Sequence, residues 1–301
     1  MSKVYDIVTE KMIAALEAGT VPWRMPWKSK SHTHVNQDGR PYRGINPFLL
    51  EISAMTREFE IPLWLTFKNV SKLGGKVREG EKASMVVFWT KYIPDETPDP
   101  ETGKVRQAFV LRYYNVFNIA QTEGVKLSAK GQAIVDAALM PQRDSLDVRP
   151  IEAAQAILDA YTLGPEVKHL AGEQAAYSPT KDIITIARQA DFDSDEAYYS
   201  TMFHEQTHAT GHKSRLNREG VQGTSHFGNE IYSKEELVAE MGAAFLSTTA
   251  GIEQTFDNSA AYIKSWITRL KSDTKLVVQA AAQAQKAADF ILGTKFETEE
   301  A

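Results

Sequence analysis

Apolar positions near the start of the chain recur every three or four residues. Between residues 4 and 18 they fall on one face of a helix, and Gly19 follows as a plausible helix stop. Residues 48–58 show the same spacing. Three apolar runs, "PLWLTF", "SMVVFWTKYI" and "QAFVLRYYNVFNI", favour β-strands, and "KNVSKL" before a Gly-Gly pair favours a short helix. The first part of the chain is therefore predicted to combine helices with a sheet.

Helical spacing dominates the second part of the chain, with one short strand, "DIITIA". Asp193 is the expected N-cap of the helix at 194–210, because Glu196 three residues later resembles a capping box. Ser233 and Gly251 are expected to begin and end a later helix. The segments predicted to be helical are 151–160, 194–210, 233–250 and two alanine-rich stretches between 259 and 292.

Between residues 126 and 150 the pattern weakens, which indicates a connector. We therefore expect an α+β protein with two domains: residues 1–125, a linker at 126–150, and a mainly helical domain at 151–301. Charge supports the division, because the first 125 residues carry 17 Lys and Arg against 14 Asp and Glu, whereas the remainder carries 17 against 25. Four of the five tryptophans also lie in the first part.

The composition excludes several classes of protein. The chain has no cysteine, so it has no disulfide, thiolate nucleophile or cysteine zinc site. It contains no apolar run of the roughly 18 residues that span a bilayer, and its N-terminus has the pattern of an amphipathic helix instead of a signal peptide. We expect a cytoplasmic protein that has no membrane partner.

The stretch "FHEQTH" carries the strongest chemical signal. His204 and His208 are four residues apart on a predicted helix, so both imidazoles face one side and can bind one ion. Glu205 follows the first histidine, as in the HExxH motif, where the glutamate is the general base of a metallopeptidase. The alternative is a surface helix with two solvated histidines. His212 is a weaker ligand candidate, because Gly211 should end the helix before it.

A catalytic zinc usually takes three protein ligands, and the helix "EELVAE" can supply the third. We assign Glu236 as ligand and Glu240 as the carboxylate that accepts the free N–H of a ligating histidine. The reverse assignment stays open, and Glu235 is a third candidate. The ion is expected to be Zn²⁺, although Mn²⁺ and other divalent ions suit the same ligands. The weaker candidates to stabilise a transition state are Tyr177, Tyr199, His226 and Tyr232.

Aromatic and basic residues interleave in irregular segments of the first domain, as in proteins that stack bases of single-stranded nucleic acid. Some of these tryptophans could equally fill a hydrophobic core. Duplex DNA is a further possible partner. The candidate DNA-contacting residues are Trp23, Arg24, Trp27, Lys28, Arg40, Tyr42, Arg43, Lys76, Arg78 and Lys82.

Several longer stretches resemble the ArdC antirestriction family of conjugative plasmids. In the first part they are "LEAGTVPWRMPW", "GRPYRGINPFLL" and "WLTFKNVSKLGGKVREGEKASMVVFW"; in the second they include "FHEQTHATGHKSRLNR" and "YSKEELVAEMGAAFL". The resemblance implies an N-terminal domain that binds single-stranded DNA and a zincin-like C-terminal domain. It implies that Glu236 supplies the third ligand, and that Glu240 stands where Asp or Asn is usual.

What the resemblance implies about function is protection of incoming conjugative plasmid DNA from host restriction endonucleases. The second domain is expected to be a gluzincin-like, zinc-dependent metallopeptidase, but whether it is active stays open. Two alternatives also stay open. One is a metalloprotease that cleaves a host protein or a DNA-bound protein. The other is a DNA-binding module with a non-catalytic metal site.

Overall fold

The structure is a computed structural model of the 301-residue chain. It describes residues 3–24, 33–93, 108–139, 150–170, 175–222, 230–252 and 259–294. No helix within these ranges is long and apolar enough to cross a membrane.

The described residues of the first part form four helices, a four-stranded sheet and a pair of short strands. Its elements are α1 (Lys3–Glu17), a 3-10 turn (Pro22–Arg24), β1 (Val35–Asn36), α2 (Asn46–Arg57), β2 (Leu63–Thr66), α3 (Phe67–Lys72), β3 (Lys76–Val77), β4 (Ser84–Tyr92), β5 (Ala108–Asn118), β6 (Thr122–Glu123) and α4 (Ala129–Leu139). The main sheet has the strand order β1-β2-β5-β4, in which β1 runs parallel to β2 and the other pairs are antiparallel. Strands β3 and β6 form a separate antiparallel pair.

The second part is mainly helical, with a small mixed sheet. Its elements are α5 (Pro150–Ala160), β7 (Glu166–His169), β8 (Ala176–Ser178), β9 (Ile183–Ile186), α6 (Asp195–Thr210), α7 (Glu219–Gln222), α8 (Glu230–Ala250), α9 (Ala260–Ser272) and α10 (Leu276–Ile291). In the sheet, β9 lies between β7, which is parallel to it, and β8, which is antiparallel. The α+β class and the two-part organisation predicted from the sequence are confirmed.

The expected helix starts are wrong at two positions. Ser194, not Asp193, caps α6, and its hydroxyl accepts a hydrogen bond from the backbone N–H of Ala197. Both residue types suit an N-cap, so only the backbone turn decides between neighbours. Helix α8 begins at Glu230, which places Ser233 inside the helix and buries it. The expected connector contains α4, and its weak apolar pattern agrees with the exposure of most of that helix.

The two parts of the chain share a hydrophobic core. Val8, Met12 and Phe48 of the first part belong to the same buried cluster as Met241 of α8 and Val277 of α10. Because burial of this surface stabilises both parts together, each is expected to depend on the other for stability. The domain boundaries taken from the sequence stay a prediction.

Helices α6 and α8 approach closely at a glycine. A Cβ added to Gly242 of α8 would lie 2.4 Å from Cγ2 and 2.7 Å from Oγ1 of Thr207, a fully buried residue of α6. Glycine therefore permits an interhelical distance that no larger residue allows. This contact sets the separation between the two helices on which the candidate ligands lie.

We expect Gly242→Ala to lower the free energy of unfolding by about 1–3 kcal/mol, the usual cost of overpacking a buried contact. Urea unfolding followed by circular dichroism measures it. Gly251→Ala is the comparison variant. Gly251 has open space around its missing Cβ, and its backbone favours glycine only through a positive φ of 73°. If Gly242→Ala is as stable as the wild type, the close approach does not limit the helix packing.

Candidate metal centre

Helix α6 places two imidazoles side by side. One helical turn separates His204 from His208, and their Nε2 atoms lie 3.1 Å apart. The helix is buried along much of its length, with Phe203 and Thr207 fully enclosed, so its register is fixed by packing. Burial and the neighbouring His208 lower the pKa of His204, which favours the neutral imidazole that binds metal ions.

Glu236 of α8 completes a group of three. Its carboxylate oxygens lie 3.5 Å from Nε2 of His208 and 3.7 Å from Nε2 of His204. Tetrahedral coordination with bonds of about 2.0–2.2 Å separates neighbouring ligand atoms by about 3.4 Å. The three side chains therefore have the spacing that a single divalent ion requires.

Glu205 lies in the wall of the same cleft. The cleft has a volume of about 500 Å³ and is lined by both histidines, Glu205 and Glu236. Ala175, Ala176, Tyr177 and Pro179, on and beside strand β8, also line it. Since Glu205 is only 7% exposed, its carboxylate is largely shielded from solvent beside the candidate ligands.

A buried ion pair fixes the orientation of His208. Its Nδ1 lies 3.3 Å from the carboxylate of Glu235, and Arg218 donates two hydrogen bonds to that carboxylate, at 2.6 and 3.0 Å. Burial alone would raise the pKa of Glu235, but its hydrogen bonds with His208 and Arg218 lower it below the usual range. Glu235 is therefore an anion that accepts the Nδ1 proton and leaves Nε2 facing Glu236.

The expected role of Glu240 is wrong. Within the described part of the chain neither histidine is hydrogen bonded to Glu240, whose carboxylate accepts bonds from Arg24 and from the hydroxyl of Tyr262, 3.0 and 3.1 Å long. Glu240 lies one helical turn beyond Glu236, where Arg24 of the first part of the chain and Tyr262 of α9 occupy both of its oxygens. The carboxylate that contacts a histidine in this way is Glu235.

Comparison with known proteins identifies both halves. Residues 2–117 match the family model of the N-terminal domain of the anti-restriction factor ArdC, and residues 152–283 match that of a zincin-like metallopeptidase. The crystal structure of the metal-free ArdC protein of plasmid R388 has 36% sequence identity and a TM-score of 0.72 over 95% of this chain and 96% of that one. The chain belongs to the ArdC antirestriction family. The Mn(II)-bound structure of the R388 protein matches at 35% identity with the same TM-score, over 96% of this chain and 97% of that one.

Two curated relatives are considerably longer than this chain. Two DNA primases named TraC, from Escherichia coli, are each 33% identical over 96% of this chain, which spans only 20% and 27% of their lengths. The uncharacterized protein y4eC of Sinorhizobium fredii (strain NBRC 101917 / NGR234) is 32% identical over 96% of this chain and 91% of its own length. The ArdC-type unit therefore occurs both within long primases and in shorter proteins.

In the ArdC-type N-terminal domain, Trp23 and Arg24 do not fit the expected role in DNA contact. Trp23 has no exposed surface and packs edge-on against Trp266 of α9. Arg24 lies over the ring of Tyr262 and donates to Glu240. These two residues therefore belong to the junction between the two halves of the chain. An arginine packs on an aromatic ring in a buried interface as readily as on a nucleic-acid base, so the interleaved pattern does not distinguish the two.

The other candidate DNA contacts are divided among several positions. Arg43 is paired with Asp289 of α10, Lys76 with Glu123 and Arg78 with Glu81. Arg40 and Lys82 have exposed side chains, and Tyr42 is partly buried beside Tyr114. The expectations for Trp27 and Lys28 lie outside the described residues. The expected DNA contacts of Arg40, Tyr42, Arg43, Lys76, Arg78 and Lys82 stay predictions.

The weaker candidates of the metal-binding half have other partners. His212 contacts Ser214 beyond the end of α6 and lies outside the group of three. The hydroxyl of Tyr177, in the cleft wall, donates to Asp182, and that of Tyr199 donates to Gln155. His226 and the side chain of Tyr232 lie outside the described residues.

Two groups of residues were missed by sequence reasoning. Arg218 lies in an irregular segment with no periodic pattern, so nothing in the sequence links it to Glu235. The exposed aromatic side chains of β4 and β5 were assigned only as strand residues. The sequence does carry a signal for them. Phe88-Trp89 and Tyr113-Tyr114 are adjacent aromatic pairs, and adjacent strand residues point to opposite faces of a sheet, so the two members of a pair cannot both face the same core. The exposed aromatic residues of β4 and β5 are Phe88, Trp89, Tyr92, Phe109, Tyr113 and Tyr114.

Proposed function

We propose that this chain is an antirestriction protein that binds single-stranded DNA and shields incoming conjugative plasmid DNA from host restriction endonucleases. We propose further that its second half is a metal-dependent peptidase domain. The observation that supports this most is the match of both halves, in one order and over nearly the whole chain, to the ArdC protein of R388. The cytoplasm, where such DNA enters a recipient cell, is the proposed location.

His204, His208 and Glu236 would hold the divalent ion, for which Zn²⁺ and Mn²⁺ are both suitable. Bound there, such an ion lowers the pKa of a water molecule towards 7 and polarises a carbonyl group. Glu205, beside His204 in the cleft wall, is the proposed base that takes up the proton. Glu235 and Arg218 keep His208 in the tautomer that binds.

The cleft can accept an extended peptide. Strand β8 is an edge strand that pairs with β9 on one side, and Ala175, Ala176, Tyr177 and Pro179 line the same cleft as the histidines. An edge strand offers backbone N–H and C=O groups to a peptide in the extended conformation. The scissile carbonyl would then lie between this edge and Glu205.

The variant Glu205→Gln separates DNA protection from peptide hydrolysis. It keeps the size of the side chain but removes the base, so we expect hydrolysis to be lost while metal and DNA binding are retained. We also expect protection of single-stranded plasmid DNA in a restriction assay to be retained, because protection by occupying the strand needs no proteolysis. Glu219→Gln, which changes an exposed carboxylate next to cleft residue Gly220, is the matched control.

The outcome also decides on the second candidate, a metalloprotease that acts on a host protein or a DNA-bound protein. The cleft of about 500 Å³ beside Glu205 favours this candidate. If Glu205→Gln loses protection while it still binds metal and DNA, proteolysis is required and the protease candidate replaces our proposal. A wild type that binds metal but hydrolyses no peptide would indicate a DNA-binding module with a non-catalytic metal site.

A further inference from the structure

Strands β4 and β5 form a ribbon with an unusual exposed face. In their antiparallel register Phe88 lies directly opposite Arg112, and Val86 lies opposite Tyr114. Paired residues share a face of the sheet, so Phe88, Arg112 and Tyr114 project from the same face. Phe88 is 40% exposed and Tyr114 38% exposed, and Arg112 is also exposed. We call these three residues the Phe88 platform.

The platform is held in place by its surroundings. Val86 and Val116, on the same face, are fully buried with Leu50 of α2 and anchor one end of the ribbon. The rings of Phe88 and Tyr114 meet edge-on with centroids 5.6 Å apart. The side chain of Tyr114 also lies beside that of the largely buried Tyr42, which restrains the second ring. The rings are therefore positioned before any ligand arrives.

The charge of the ribbon suits a polyanion. Neither β4 nor β5 contains Asp or Glu, while Arg112, an exposed basic residue, is the cross-strand partner of Phe88. Single-stranded nucleic acid is bound by surfaces that combine aromatic rings for the bases with cations for the phosphates. A purely apolar partner would gain nothing from an arginine at the centre of the face, since desolvating it is unfavourable.

We propose that the Phe88 platform is a stacking site for the bases of single-stranded nucleic acid, with Arg112 contacting a phosphate or a base plane. This rests on the proposed function, and it locates on β4 and β5 a contact that the buried Trp23 cannot make. Duplex DNA binds this site less well, because its bases are already stacked within the helix.

The test uses the full chain and a fluorescently labelled oligothymidine, alone and paired with its complement, at several salt concentrations. Phe88→Ala is expected to weaken single-strand binding by about 5- to 100-fold, the usual effect of losing one stacked base, with a smaller effect on the duplex. Phe88→Trp keeps a ring and should bind at least as tightly as the wild type. Arg112→Ala should reduce the slope of log affinity against log salt by about 0.7, the value for one phosphate contact.

Phe67→Ala is the matched control, because Phe67 is 62% exposed and packs on Phe117, which belongs to the opposite face of the sheet. It should bind as the wild type does. Unchanged binding by Phe88→Ala and Arg112→Ala, with a wild type that binds, would overturn the platform and leave the proposed function intact. A wild type that does not bind overturns both. If Phe88→Ala instead changes the oligomeric state in sedimentation at unchanged DNA affinity, the face binds a second copy and the proposal is wrong.

Discussion

Replacing Arg218 by alanine is expected to lower the free energy of unfolding by about 3–5 kcal/mol, the cost of leaving a buried charge without its partner. Glu235 is 5% exposed and would lose two hydrogen bonds from the guanidinium. Arg218 also donates to the hydroxyl of Thr210 and the carbonyl oxygen of Thr207, at 2.6 and 2.7 Å. These acceptors would be left buried without that donor. Urea unfolding in the presence of a chelator measures the change without a contribution from bound metal.

The loss of stability in Arg218→Ala should also depend on pH. The pKa of Glu235 is lowered in the folded state, so its stabilising contribution is present above the carboxyl pKa of the unfolded chain and is lost as the pH falls. The difference between the wild type and Arg218→Ala should therefore shrink at acidic pH, where Glu235 takes up a proton. A difference that grows with acidification would contradict the assignment of Glu235 as the charged partner.

Two further variants test whether burial is the cause. Arg188 pairs with Asp191 on the surface, with its side chain 68% exposed, so Arg188→Ala should leave the free energy of unfolding nearly unchanged. The double variant Arg218→Met, Glu235→Leu removes both charges and should be more stable than Arg218→Ala. If the two single arginine variants are equally stable, the buried pair has no special importance for the fold.

Replacing Glu236 by alanine is expected to reduce the affinity for a divalent ion by more than about 100-fold. The loss of a group that only orients a ligand reduces affinity by about 10- to 100-fold, and the loss of a ligand should exceed it. Titration of chelated apoprotein with Zn²⁺ and Mn²⁺ against an indicator dye measures both affinities. The fold should be retained, because Glu236 lines the cleft with 27% of its side chain exposed.

Glu219→Ala removes an exposed carboxylate near the cleft and should bind metal as the wild type does. Unchanged affinity in Glu236→Ala would exclude Glu236 as a ligand and direct attention to Glu205 and Glu235, the other carboxylates that line the cleft.

The grouping of His204, His208 and Glu236 could largely be predicted, because the geometry that brings them together is local. Two histidines four residues apart on one helix face the same side wherever the helix lies, and Glu236 required only a second helix to pack nearby. The carboxylate that accepts from His208 could not be predicted in this way. Glu235 and Glu240 lie on different sides of α8, and only the packing of Arg218 and Arg24 decides which of them meets a histidine.

In the N-terminal half, the sequence predicts the secondary structure but not which aromatic residues are exposed. Its helices and long strands follow from apolar spacing, but exposure depends on what packs against each face. Trp23 is buried because α9 covers it, whereas Phe88 is exposed because the ribbon extends past the core. Each of the two aromatic residues has an arginine as its neighbour, Arg24 in the sequence and Arg112 across the strand pair. Tertiary contacts of high sequence separation, such as Arg24 with Glu240, have no periodic signature in the chain.

The shared core also determines how this protein should be studied. Because α1 and α2 pack against α8 and α10, a fragment of the first 125 residues would expose a large apolar surface. DNA-binding and metal-binding measurements are therefore best made on the full chain.

An anomalous-scattering map from crystals grown with Mn²⁺ or Zn²⁺ tests the central claim most directly. We predict one strong peak about 2.0–2.2 Å from Nε2 of His204, Nε2 of His208 and a carboxylate oxygen of Glu236. Glu205 should lie nearby without being a ligand. A peak coordinated by Glu235 or Glu240 in place of Glu236, or no peak between the two histidines, would contradict the proposed metal centre.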